Sequence, residues 1–351
     1  MSDSDLMYQD IRDAHVLSRI VERRARESEL WDVPFAPIVA HQDRKIKLMV
    51  RYIDGAGLAA FKADDDSTPV VPRGGDITEM YFEAPLIAEK HPLTSSDLLD
   101  LASPDDRVAK RAAHDVVELA RNLRIRNMNR TKWMAWQAVQ GSLSIAYPDG
   151  AAIAVDYDLD GSSQNSYFTS SHLVTVGTAW SNAAADIIED MYTVTKLIED
   201  DAGVDQMECI LHVNSATWRY MKKNTGIKAE LSDYTPRITT PRLNEVAEIL
   251  GIAKVVIYNG LYTDGSTQTK FLPDHRALVT GPYEIEGVPI VEVKDCPVAR
   301  VVGGDIVPAP NPGALSEIYI NEEQISKNIR VQTSRLPVIN YPNAMVWMTL
   351  A

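Results

Sequence analysis

Cysteine is nearly missing: Cys209 and Cys296 are the only two in 351 residues. Neither a disulfide framework nor a multi-cysteine metal cluster can be built from them, and such usage suits a reducing compartment. Positive charge is short too, 35 Lys and Arg against 49 Asp and Glu, for a net −14. That balance disfavours extended contact with nucleic-acid phosphates but leaves room for a local basic stripe. Long apolar runs are lacking. The uncharged tail, residues 336–351, holds Pro337 and Pro342 and is shorter than the roughly 20 residues a membrane helix needs. The N-terminus carries Asp3 and Asp5 with no basic-then-apolar stretch, which argues against a secretory signal. A soluble chain made to stay in the cytoplasm is expected.

What remains is ordinary globular material, 45% hydrophobic and 24% charged. The length exceeds one typical core and suits two domains, or one with large excursions. Residues 10–30 read as a marginal helix whose thin apolar face (Ile11, Val16, Ile20, Leu30) needs a partner surface; Arg23, Arg24 and Arg26 crowd beside Glu22, Glu27 and Glu29. Residues 45–53 alternate with period two, a half-buried strand. A permissive Asp54-Gly55-Ala56-Gly57 turn and the acidic Asp64-Asp65-Asp66-Ser67-Thr68-Pro69 follow, and a second strand-like run comes after Arg73-Gly74-Gly75. Together they make a long two-stranded excursion, which in isolation is barely stable.

The strongest signal spans residues 103–141. Ser103 reads as the N-cap, Pro104 as the first helical residue and Gly141 as the stop, with Val108, Ala112, Val116, Leu119, Ala120 and Leu123 as an apolar face. Its charge is mostly basic, including Arg107, Lys110, Arg111, Arg121, Arg124, Arg126, Arg130 and Lys132. Pro148-Asp149-Gly150 marks a hairpin, and an acidic amphipathic helix opens at Ser181. Alternating short strands and helices then run to about residue 310, with Asn214 as one helix cap and Asp264-Gly265 as a hairpin pivot. Residues 329–350 are again strand-like.

Site motifs are weak. Gly55-Ala56-Gly57-Leu58-Ala59-Ala60 copies a dinucleotide fingerprint, but the segment breaks at residues 64–69, before a helix could aim at a pyrophosphate. Asp156, Asp158 and Asp160 copy half of a calcium loop whose twelfth position is Tyr167 rather than Glu. Cys209 and His212 share an apolar strand and read as core residues rather than a catalytic pair. The seven histidines are dispersed. No catalytic, cofactor or metal residues are assigned.

The order of elements is arm, ribbon, very long helix, hairpin, second helix, compact α+β domain and returning strand. With Arg73-Gly74-Gly75, Thr78-Glu79-Met80-Tyr81-Phe82, Val256-Ile257-Tyr258-Asn259-Gly260-Leu261-Tyr262, Lys270-Phe271-Leu272-Pro273-Asp274, Gly281 and Tyr341-Pro342-Asn343-Ala344-Met345-Val346-Trp347, that order resembles the major capsid proteins of tailed bacteriophages. Within them it is similar to the lambda-type head protein E family, of the Hong Kong 97-type coat fold. The resemblance implies an α+β fold with an N-terminal arm (1–42) across a neighbouring subunit and an extended E-loop (43–90). It also implies a peripheral domain (91–204) with spine helix 104–140, an axial domain (205–310), and a return to the peripheral domain (311–351). It implies self-assembly as pentamers and hexamers into an icosahedral shell, without catalysis or cofactor. The partners would be a separate scaffold protein, since no scaffolding-like region precedes the arm, a portal, a decoration protein and packaged double-stranded DNA held without sequence-specific binding, with no membrane. The place would be the virion, assembled in the host cytoplasm. Candidate interface residues are Lys62, Asp64, Asp65, Asp66, Arg73, Arg124, Arg126 and Asp264, with the basic spine helix pairing between subunits with acidic segments such as 64–66 or 186–201. Two other readings stay open: an encapsulin-like compartment shell, and an α/β enzyme using residues 55–60 or Cys209 and His212.

Overall fold

The computed structural model describes residues 14–49, 79–146, 152–157, 159, 170–234, 242–302, 305–308, 313–321 and 326–350. The chain divides into two units, each assembled from three separated segments: residues 1–46, 81–135 and 293–337, and residues 47–80, 136–292 and 338–351.

The first unit is organised by the spine helix Asp106–Ala138, 33 residues and so about 50 Å long. Its start lies later than Ser103. The Asp105 carboxylate accepts the Arg107 amide at 2.9 Å, while Ser103 Oγ accepts only the Asp105 amide; Asp105 is therefore the cap, and Pro104 precedes the helix. At the far end Gly141, at φ +102°, turns the chain as expected. Ala113, Val116, Val117, Ala120 and Leu123 form one buried stripe. Against it pack Ile329 and Val331 of the strand Ser326–Ile339. That strand pairs antiparallel with Leu315–Asn321 on one side and Leu86–Pro92 on the other. A parallel pair, Ile38–Ala40 with Val291–Cys296, extends the sheet.

The N-terminal helix Ala14–Arg24 is seated on this same core. Leu17 and Val21 are fully buried in it, and Ser18 Oγ accepts the Ser316 amide at 2.9 Å. The partner surface that a marginal helix requires lies in its own chain. Within the stretch 43–90, Lys45–Met49 pairs with Glu79–Glu83, and Leu86–Pro92 belongs to the sheet.

The second unit carries a five-stranded sheet in the order Leu173–Thr175, Met345–Thr349, Arg276–Thr280, Ile210–Val213, Lys254–Ile257. The outer pairs are parallel and the two inner ones antiparallel. The helix Ile187–Ala202 opens on Asp186, whose carboxylate accepts the Glu189 amide, and closes on Gly203 at φ +64°. It begins six residues after Ser181, because residues 181–186 form turns instead. Asn214 caps Ser215–Lys223 as expected, and Gly265 at φ +60° turns the hairpin Leu261–Asp264 to Thr267–Lys270.

The two units cut the chain at other places than the expected domains do. Residues 136–202, placed with the peripheral domain, belong to the second unit. The return of residues 311–351 is divided: residues up to Pro337 complete the first unit, while Met345–Thr349 inserts between Arg276–Thr280 and Leu173–Thr175 in the second. Both stretches are extended, and strand pattern alone carries no information about the partner.

Candidate assembly surfaces

Of the interface candidates, Lys62, Asp64, Asp65, Asp66 and Arg73 lie outside the described residues. Asp264 ends the strand Leu261–Asp264, exposed and in register with Thr267. Arg126 is exposed on the spine helix and makes a two-pronged contact to Glu89, Nε at 2.6 Å and Nη2 at 2.9 Å. Arg124 points inward. It is 3% exposed, bonded to Glu22 and 3.7 Å from Glu27. The pairing expected between subunits is therefore met, for Arg124, inside the chain.

Arg124 belongs to a buried ionic cluster that joins segments remote in sequence. Arg335, 1% exposed, reaches Asp295 through Nε at 3.1 Å and Nη2 at 3.0 Å, and Glu27 through Nη2 at 2.6 Å. At the rim, Arg24 pairs with Glu118 at 2.8 Å and Lys132 with Asp32 at 2.7 Å. Burial pushes the Glu27 carboxyl up against the opposing pull of Arg335 and Arg124. It pulls Arg335 down, but Asp295 and Glu27 more than offset this, so that guanidinium is held above its usual range. For Arg124 burial wins over Glu22 and Glu27, and the shift is downward. Such a cluster specifies which segments meet more than it adds net stability; removing one partner leaves a buried charge and costs about 3–5 kcal/mol. Its members are Glu22, Glu27, Arg124, Asp295 and Arg335. Only the crowding of charge in residues 22–29 hinted at it in the sequence.

The possible enzyme residues sit in surroundings that oppose catalysis. Burial, then Asp205 and Glu208, pushes the Cys209 thiol up to about 12. Burial, then Lys254, pushes His212 down to about 3. A thiolate–imidazolium pair needs both shifts reversed. Asp156 ends the strand Ala152–Asp156 and Tyr157 is buried, while Asp158, Asp160 and Tyr167 lie outside the described residues, as do residues 55–60. Among the described residues no group of three or more His, Cys, Asp or Glu is placed to hold a metal ion, and no helix is long and apolar enough to cross a membrane. A groove of about 360 Å³ beside the helix Ser95–Leu101 is lined by apolar side chains, three aspartates and Arg111; none of these is a nucleophile set beside a base.

Comparison with known proteins finds a family match in sequence and structural likenesses, two of which follow. The family model described as phage major capsid protein E matches residues 14–349. No curated protein matches the chain. A phage-related protein from Bordetella bronchiseptica RB50 superposes with a TM-score of 0.55 at 14% identity, over 97% of this chain and 98% of that one. A protein provisionally described as the capsid protein of a prophage in E. coli CFT073 superposes with a TM-score of 0.58, also at 14% identity, over 97% and 99%. At that identity the two structures speak to the fold.

Proposed function

This chain belongs to the phage major capsid protein E family and forms the shell of a phage head, and we propose that it does so purely as a structural subunit, with no catalytic step of its own. The observation that carries this is the family match across residues 14–349, joined by the Cys209 and His212 environments, which are wrong for nucleophilic chemistry. The protein resides in the virion, has the Hong Kong 97-type coat fold and self-assembles. In our reading it does so as pentamers and hexamers in the host cytoplasm, on a separate scaffold protein, with a portal at one vertex and sites open to a decoration protein. The ribbon based on Lys45–Met49 and Glu79–Glu83 reaches the adjacent subunit, which supplies the cover a lone ribbon lacks. Double-stranded DNA is held by confinement, consistent with a net charge of −14.

The test is negative-stain electron microscopy of the purified chain, alone and with the scaffold gene product. Rings, shells or tubes are expected. A uniform monomer or dimer under every condition would sink the reading.

A further inference from the structure

Charge in the second unit is segregated. Residues 186–208 carry eight acidic side chains and one basic one, Lys196, whereas residues 215–228 carry four basic side chains and no acidic one. The helix Ile187–Ala202 buries Ile187, Met191, Val194 and Ile198. Helical spacing then leaves Glu189, Tyr192, Lys196, Glu199 and Asp200 facing outward. The adjoining turn Gln206–Glu208 is tied to that helix, the Gln206 amide donating to the Glu199 carboxylate. Two large apolar side chains stand on this stretch, Tyr192 at 49% exposed and Met207 at 72%. The helix Ser215–Lys223 is built the other way. Thr217, Trp218 and Met221 are buried, and Arg219, Lys222 and Lys223 lie one turn apart on the outer side.

Glu199 takes the Gln206 hydrogen bond and Lys222 lies 6.0 Å from the Trp218 ring centre, but these charges are not spent in ion pairs among the described residues. Among the described residues, Glu189, Glu199, Asp200 and Glu208 have no Lys or Arg within ion-pair distance, and Arg219, Lys222 and Lys223 have no carboxylate. The spine helix differs, since Arg124, Arg126 and Lys132 all find carboxylates in their own chain. Exposed Tyr and Met among mostly acidic side chains, with a basic helix face elsewhere on the same chain, is a composition suited to a protein–protein contact.

We propose that the acidic face formed by Ile187–Ala202 and Gln206–Glu208 docks on the basic face of Ser215–Lys223 in a second copy of this chain. The proposal rests on the shell-forming function above and names surfaces for it. Two different faces of one chain meeting head to tail make a heterologous contact, which closes into a ring where the rotation allows. Tyr192 and Met207 supply the part of the contact that loses water. The flanking charges steer the encounter and fix its register.

Charge reversal tests this in the full chain. One variant carries Glu199→Lys, Asp200→Lys and Glu208→Lys; another carries Arg219→Glu, Lys222→Glu and Lys223→Glu; a third carries all six. Each single-face variant should keep its far-ultraviolet circular dichroism yet lose at least tenfold in assembled particles by sedimentation, and the six-fold variant should recover them. Assembly of both single-face variants at the unmodified yield overturns the proposal, as does failure of a folded six-fold variant to recover. Should a reversed chain not fold, Glu208→Cys chains are mixed with Lys223→Cys chains and oxidised. A disulfide-linked dimer confined to the mixture is expected, and its absence overturns the contact. Failure of the unmodified chain to assemble at all would instead count against the capsid reading itself.

Discussion

His212 shows how one buried side chain ties stability to pH. It lies in the strand Ile210–Val213, fully buried, with Thr280 Oγ at 3.5 Å and the Tyr283 ring at 5.8 Å. Burial depresses it to about 3, so the folded chain keeps the ring neutral where the unfolded chain would protonate it. The stability this provides is complete above about pH 6.5 and is lost as pH falls toward 3. One group of this kind removes at most about 1.4 kcal/mol per pH unit across that window. Urea midpoints measured at pH 7, 6, 5 and 4 should fall more steeply for the native chain than for His212→Gln; parallel curves would refute the assignment. Glu118 acts lower down the scale. Its burial is outweighed by hydrogen bonds from Arg121 and Arg24, which hold it below its usual range, so its contribution is lost only below about pH 4.5. At this scale legibility is divided. Cys209 and His212 read as core because their neighbours in sequence are apolar. Arg124 and Arg335 do not, because an arginine is buried only where carboxylates meet it, and those of Arg335 come from residues 27 and 295.

Elements were readable where their ends carry local chemistry. The spine helix, the Asn214 cap and the Gly265 hairpin depend on side chains within a few residues of the boundary. The helix Thr225–Tyr234 was missed: Gly226 near its start looks like a breaker, and the capping interaction, Asn224 Oδ1 accepting the Ile227 amide at 3.0 Å, comes one residue before the helix. Ser95–Leu101 was missed too, although Thr94 and Asp97 form a complete capping box. The N-terminal helix Ala14–Arg24 was legible as a helix but not as part of this core, since nothing in its own 11 residues points to residues 113–123 and 329–331. Its attachment can be tested element by element. Leu17→Ala removes a fully buried side chain at a cost of about 2–5 kcal/mol. Amide exchange should accelerate most in residues 14–24, with smaller changes in the sheet of the second unit. Uniform acceleration through both units would show that the helix is not a separable layer.

At the scale of the whole chain, local patterning says least, because each unit is assembled from three separated segments. The resemblance supplied the architecture that periodicity does not reach, but it names no hydrogen-bonding partners for the last strand. That strand, Met345–Thr349, is second in the sheet order and hydrogen-bonded along both edges, to Arg276–Thr280 and Leu173–Thr175. The residues before it add further ties: the Asn343 amide donates to the Asp201 carbonyl at 2.7 Å. His172 lies between the Met345 carbonyl at 2.6 Å and the Asp201 carboxylate at 2.8 Å. Met345, Val346, Trp347 and Met348 are all buried. At about 1.5–3 kcal/mol per large apolar side chain, losing these four removes roughly 6–12 kcal/mol, as much as the whole stability of a typical domain. The strand is therefore structural for its unit, whatever it does at the capsid surface. A chain ending at Pro337 should fail to form shells and lose the cooperative melting of the second unit. A synthetic peptide of residues 338–351 added during refolding should restore both by filling the gap between the two strands. Native melting and normal particles from the truncated chain, without peptide, would mean that the sheet closes without Met345–Thr349 and that its burial contributes far less than its area suggests.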